Sequence, residues 1–152
     1  MKPAIFHKIL LVGLIVTCII PTNAQILRTK NWHFGYNTSL RFETDTVIVD
    51  TSAMQSGESC ASISDEQGNL LLYSDGVTVW NKKHQIIGNG TSLLGHESSS
   101  DGVVFIPIDQ TDSIVYLFTT DYRGNTNGFR HNIIRNYGND SFEVLSKNNL
   151  LF

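Results

Sequence analysis

The amino-acid sequence predicts an all-β fold, on three observations. β-Branched and aromatic residues gather in runs of four to seven, which suits pleated strands better than helices. Asn, Asp and Gly punctuate those runs, with twelve Asn lying beyond residue 24. These residues tolerate the left-handed backbone that tight turns need. Beyond residue 24 no segment carries an apolar stripe at helical period. The 152 residues are 41% hydrophobic, 10% aromatic and 16% charged, enough apolar side chain for a packed core rather than disorder.

The first element is not part of that core. Lys2 and Lys8 flank a basic start, and residues 9–20 read ILLVGLIVTCII. Pro21 breaks the run, and Thr22-Asn23-Ala24 puts small residues before a cut at Gln25. This is the pattern of a secretory signal peptide over residues 1–24. Twelve apolar residues are too few for a membrane anchor, which needs about 20. A lipoprotein reading would use Cys18, but Thr17 before it fits that poorly. Lys2 and Lys8 leave with the signal, so 11 basic residues become 9 against 14 acidic ones, a net charge of −5 over 128 residues. A mildly acidic exported chain with one basic pair, Lys82-Lys83, is no nucleic-acid binder. Membrane contact is expected only through the signal during export. Cys60 is then the single cysteine, so no internal disulfide staples the fold. In ESCASIS, alternation sets Cys60 and Ser62 opposite Ala61 and Ile63, and a buried structural thiol is expected.

The strands follow in order. Thr46–Val49 is a β-branched run, Ser59–Ser64 alternates, and Asn69–Tyr73 and Thr78–Trp80 follow. Val103–Ile106 and Ile114–Thr119 are the strongest, and Phe129–Arg135 and Phe142–Leu145 close the set. Asp65-Glu66-Gln67-Gly68-Asn69 predicts a hairpin turn with Gly68 at positive φ. Asp109–Asp112 and Gly124–Gly128 predict two more turns. Gly88–Gly102 is the longest loop, and its Leu93-Leu94 is expected to tuck onto the sheet.

A weak repeat points to the architecture. SISDEQGNLLLYSDG lies over FIPIDQTDSIVYLFTTD, with Asp65 to Asp109 spaced by 44 residues and Asp75 to Asp121 by 46. A period in the forties is the size of a four-stranded propeller blade. The mature chain then holds about three blades, fewer than a closed propeller needs. A partial, unclosed β-propeller of antiparallel four-stranded blades is expected over residues 25–152. Its apolar last residues, Asn149-Leu150-Leu151-Phe152, suggest an N-terminal fragment cut inside a strand.

Catalytic motifs fail on inspection. His96-Glu97 begins an HExxH, but Ser100 stands where the second ligand belongs. There is no GxSxG, GxGxxG or GxxxxGK. An EF-hand around Asn125 and Asn127 would start at Arg123 and end at Ile134, both wrong for calcium. No catalytic, cofactor or metal residue is therefore assigned. Asp75, Glu97, Asp101 and Asp121 are candidates to line one rim of the sheet, where carboxylate pairs ~5–9 Å apart would serve glycoside hydrolysis. Solvated turn acids are the simpler reading. The segment Ser74–Trp80 has the Asp-Gly and aromatic of a sialidase Asp-box but not its spacing, and a structural hairpin with Trp80 in the core explains it. Trp32, Phe34, Tyr36, Tyr122 and Tyr137 sit in or beside predicted turns, where they would stack on sugars or close sheet edges.

The motif run carries a resemblance. It opens at Trp32, Phe34 and Gly35, continues through Cys60, Asp65, Gly68, Asn69 and Tyr73, and ends at Asp75, Gly76, Trp80 and Asn81. It resembles the N-terminal propeller-like region of secreted Bacteroidetes proteins that end in a gliding-motility-associated, type IX sorting domain. The resemblance spans roughly residues 31–152 and is most specific over 58–81. It implies a WD40- or YVTN-like propeller outside the cell, with no agreed catalytic residues. The sorting domain is absent from this sequence. Asp45-Thr46-Val47 and Asp112-Ser113-Ile114 resemble the short O-glycosylation acceptor of these bacteria.

The leading expectation is a non-enzymatic, secreted or cell-surface interaction or adhesion module whose partner is an unidentified protein or glycan. The alternatives are a carbohydrate-binding or glycoside-hydrolysing propeller protein and a truncated fragment without independent function.

Overall fold

The structure, a computed structural model, describes residues 27–152. The expected signal peptide lies outside the described residues. Among them are ten strands and one 3-10 turn, Tyr122–Gly124. The strands form three antiparallel sheets.

The first sheet holds β1 (Asn31–Phe34), β2 (Tyr36–Phe42) and β3 (Val47–Gln55) in the order β1-β2-β3. Gly35 joins the first two at φ 59°; a Cβ there would meet nothing, so the backbone angle alone favours glycine. These two strands correct the sequence reading, which left Trp32, Phe34 and Tyr36 in or beside turns. Trp32 and Phe34 lie inside β1, and Tyr36 begins β2. The pattern was obscured because the buried side of β1 is polar. Asn31 and His33 face inward, while Trp32 between them is half exposed.

The second sheet holds β4 (Ala61–Ser64), β5 (Leu70–Ser74) and β6 (Val79–Asn81), in that order. The third holds β7 (Val103–Pro107), β8 (Ile114–Thr120), β9 (Phe129–Gly138) and β10 (Ser141–Leu150), in the order β10-β9-β8-β7. The expectation of four strands per sheet thus holds only for the third. The second gains a fourth position as a single bridge, Trp80 opposite Ile86, because the Lys82-Lys83 turn leaves little chain to pair. In the first, β3 runs straight into the Ser56–Ser59 connection. No sheet is closed.

The repeat seen in the sequence is a repeat in space. Asp65 follows β4 and accepts from the amides of Gln67 at 2.9 Å and Asn69 at 2.8 Å. Asp109, two residues beyond β7, accepts from those of Thr111 at 2.9 Å and Ser113 at 3.2 Å. Each is an Asp side chain that builds its own turn. The Ser113 and Thr111 hydroxyls also donate to Asp109 and hold its carboxyl down at about 2. Gly68 has the expected positive φ, 84°. Asp75 and Asp121 follow β5 and β8 and again accept from nearby amides. The pairings match as well. Ile63 lies opposite Leu72 as Val104 lies opposite Phe118, and Ser74 faces Val79 as Thr120 faces Phe129.

The sheets are layered. Ile63, Leu72, Val79 and Ile87 of the second layer meet Val115, Leu117, Ile134 and Val144 of the third. On its other face the second layer packs Tyr73 and Trp80 against Met54 of β3, so Trp80 is in the core as expected. The first strands stand side by side, β1 against β4 and β4 against β7.

The long loop after β6 runs along β10. Gly88 donates to the Phe142 carbonyl at 3.0 Å and accepts from Val144 at 2.8 Å. Asn89 donates to the Val144 carbonyl at 2.9 Å, and the Leu94 amide donates to Asn148 at 2.8 Å. Leu93 is buried in the aliphatic layer, as expected, and Leu94 is half-buried. The loop thus covers much of an edge that would otherwise offer unpaired backbone. The apolar last residues keep to the ladder too: Leu151 donates to Phe129, and Phe129 to Phe152.

Candidate functional site

The first strands frame a concavity of about 630 Å³. Trp32, His33 and Phe34 of β1 line one side of it. Cys60 and Ser62 line the middle, and Asp101, Val104 and Phe105 line the side of β7. Alternation along β1 sends Trp32 away from the second sheet and His33 towards it, and both reach the concavity. The Trp32 indole donates to the Thr29 carbonyl at 2.9 Å and packs edge-on against Phe42 with ring centres 5.0 Å apart. That fixes an aromatic plate with half of its surface free.

Much of the polar lining is already engaged. Asn31 donates to Ser64 and to the Gly68 carbonyl, both at 2.9 Å. Ser62 donates to the Asn31 carbonyl at 2.6 Å. These bonds tie β1 to β4 and hold the strands that frame the site. Beneath the lining, the His33 ring stacks on Tyr73 with ring centres 4.2 Å apart. The Tyr73 hydroxyl meets His84 Nδ1 at 2.8 Å and accepts from the Ala53 amide at 3.2 Å. His33 Nδ1 is buried with no partner among the described residues. Burial, and then the neighbouring His84, push the imidazole of His33 down to about 4.

Cys60 corrects the expectation of a buried thiol: it is exposed. The alternation was read rightly, with Ile63 in the aliphatic core, but the face shared by Cys60 and Ser62 looks into the concavity. Partial desolvation still raises the thiol above its ordinary value of 9, which disfavours the nucleophilic thiolate.

The motif residues fall into three groups. Trp32, Phe34 and Cys60 reach the concavity. Asp65, Gly68, Asn69, Asp75, Gly76 and Asn81 build turns, and Gly35 links β1 to β2. Asp75 is buried, accepts from Val77 at 2.8 Å and Thr78 at 2.7 Å, and is raised by burial against the pull of those amides. Gly76, at φ 90°, accepts from Gly95 at 3.1 Å. Asn81 accepts from Lys83 at 2.9 Å and Gln85 at 3.1 Å. Tyr73 and Trp80 are core aromatics stacked 5.3 Å apart.

Of the four candidate acids, Asp75, raised first by burial, lies near enough to Glu97 for that charge to raise it further. Asp101 lines the concavity. Asp121 lines a separate hollow of about 940 Å³ with Tyr122, Arg123 and Phe152. Among the other aromatics, Tyr36 and Tyr137 are exposed, and Tyr122 is half-buried beside His96. Sequence reasoning missed Asn31 and His33 as structural polar groups. Their signal was the alternation within Asn31-Trp32-His33-Phe34. The arrangement offers a fixed aromatic plate, an apolar wall and one carboxylate, which suits contact with a partner's apolar or sugar face. No family model matches the chain, and no curated protein or solved structure matches it.

Proposed function

We propose that residues 25–152 are a non-enzymatic β-propeller segment that works outside the cell, or on its surface, as an interaction or adhesion module of the gliding-motility-associated kind. The observation that supports the propeller reading is the placement of β1, β4 and β7. Each begins an antiparallel sheet, and each stands beside the next around one concavity. Innermost strands around a central channel are the arrangement of a propeller, and roughly four to eight such sheets close one. The partner class is a protein or glycan with a flat apolar face, met by Trp32. The export reading rests on the signal pattern of residues 1–24.

The test is a glycan array and a panel of chromogenic glycosides on the secreted chain, with Trp32→Ala and Asp101→Asn beside it. The expected result is no turnover, and retention on a partner or glycan that Trp32→Ala weakens. Turnover that Asp101→Asn abolishes would make the protein a glycoside hydrolase and sink the non-enzyme reading.

A further inference from the structure

The turns that close the repeated strands differ in length. In the second sheet Ser74 faces Val79 across residues 75–78, and in the third Thr120 faces Phe129 across residues 121–128. Asp75 completes the shorter turn by accepting from Val77 and Thr78. Asp121 is buried, accepts from Tyr122 at 2.7 Å and reaches on to Asn127 at 3.1 Å. Inside that span the Asn125 amide donates to the Tyr122 carbonyl at 3.1 Å, and the Gly128 amide to the Asn125 carbonyl at 3.0 Å. The longer loop is thus held by its own bonds. Its extra residues are not needed to reverse the chain, because half the length does so in the equivalent place. Added length on a rigid scaffold is where binding residues gather.

The extra residues carry free polar groups. Arg123 stands at φ 53° and ψ 27°, and its guanidinium lies 4.9 Å from the centre of the Tyr122 ring. With Asn125 and Thr126 it lines the hollow of about 940 Å³, a volume within the range of small-ligand sites, roughly 300–1,000 Å³. Glu58, Ser98 and Ser100 line the same hollow from two other segments. The Glu58 amide donates to the Glu97 carbonyl at 3.0 Å, and the Ser99 hydroxyl to the Thr120 carbonyl at 3.2 Å. These bonds tie the two segments to each other and to the end of β8. Among the described residues neither Glu58 nor Arg123 forms an ion pair, and the side chains of Ser98, Ser100, Asn125 and Thr126 hold no hydrogen bond.

The charges choose the class of ligand. An anion in this hollow would meet Glu58, and a cation would meet Arg123, so neither sign is favoured. A guanidinium and an amide that donate, a carboxylate that accepts and hydroxyls that do both suit a ligand dense in hydroxyls. We infer that the hollow binds an uncharged saccharide, as a site separate from the concavity at Trp32. The two share no lining residue, and the inference does not rest on the propeller reading. Asp121 is occupied by the amides of its own loop, so Glu58 lacks the second free carboxylate that glycoside hydrolysis uses. The sugar is held and not cleaved.

The test is titration calorimetry of the purified chain with cellotetraose, maltotetraose, xylotetraose and mannotetraose, and with tetragalacturonate as the charged control. At least one of the uncharged sugars should bind. Arg123→Ala and Glu58→Ala should each weaken it about tenfold, the loss of one hydrogen bond to a charged group. Both side chains are exposed, so the circular-dichroism spectrum should not change. Should Arg123→Ala disturb its loop, Glu58→Ala reads the same hollow from another segment. Trp32→Ala should leave this binding as it is. No binding of any uncharged sugar, tighter binding of tetragalacturonate, or a saccharide site that neither Arg123→Ala nor Glu58→Ala weakens would each overturn the inference. Binding lost only in Trp32→Ala would overturn it and keep the reading of the concavity. Binding lost only in Arg123→Ala and Glu58→Ala would keep it and count against the concavity as the glycan site.

Discussion

On the side of the third sheet, the second sheet presents Ile63, Leu72, Val79 and Ile87 to an aliphatic interface. On the side of the first sheet, it presents Tyr73 and Trp80 to Met54 and to the stacked ring of His33. Neighbours in one strand serve the two sides: Leu72 and Tyr73 are both fully buried, as are Val79 and, nearly, Trp80. The aliphatic cluster holds by burial and contains no titratable group, and the Lys82 and Lys83 pairs to Asp140 lie at its margin. The aromatic side adds hydrogen bonds through the Tyr73 hydroxyl and contains a histidine that burial keeps neutral. The same strands therefore have a face indifferent to pH and a face that responds to it.

The largest expected effect tests the aliphatic side. Leu72→Ala removes a fully buried side chain from the centre of that interface. It should cost about 3–4 kcal/mol, the lost transfer energy plus the cavity left behind. The measurement is urea unfolding of variant and parent at pH 7 and again at pH 5. Equal losses at both values are expected; a loss that shrinks in acid would mean that the interface is coupled to a titrating group and would break the contrast.

Acid should act through the other side. His33 sits at about 4 in the fold against 6.5 when free, mainly through burial and then through His84, with Asp50 pulling the other way. Protons thus bind the unfolded chain more readily. Stability is full above pH 6.5 and is lost as pH falls from there to about 4. Across that window the histidine accounts for about 3 kcal/mol. The difference between parent and His33→Phe isolates it from the other titrating groups. The variant keeps a ring against Tyr73 and should lose the acid-dependent part of the unfolding curve. Parallel curves for the two chains over pH 6.5–4 would refute the assignment.

The two sides also differ in how readable they were. Strands β4 to β10 were legible from apolar inward residues, as in Ile114–Thr120, whereas β3 was legible only at its start, where Val47 and Val49 are exposed, and its buried Ser52 and Met54 were missed. The Asp65 and Asp109 turns were legible because the side chain that makes the turn is in the sequence. Strands β1 and β2 were not. Their inward residues include Asn31, His33 and Ser39, which read as surface until the partners across the interface are known. The candidate site suffered in the same way. Trp32 and Cys60 could be singled out, but not that one concavity would gather them with Asp101 and Phe105, which follow Cys60 by 41 and 45 residues. Alternation tells which residues share a face, and only the stacking order tells which faces are covered.

The smallest expected effect sharpens the aromatic side. Tyr73→Phe keeps the ring, and with it the stacking on His33 and Trp80. Only the hydroxyl is lost. The half-buried Ala53 amide then has no acceptor from that residue, while His84, which is exposed, can turn to water. One stranded donor and one rescued partner place the cost at about 1–2 kcal/mol, below that of Leu72→Ala. Double-mutant analysis with Leu72→Ala then asks whether the two faces of β5 are energetically separate. Residues back to back in one strand share backbone but no side-chain contact, so the two costs should add within about 0.5 kcal/mol. A coupling larger than that would mean that the second sheet shifts as a body when either face is altered, and the aliphatic and aromatic interfaces would have to be treated as one.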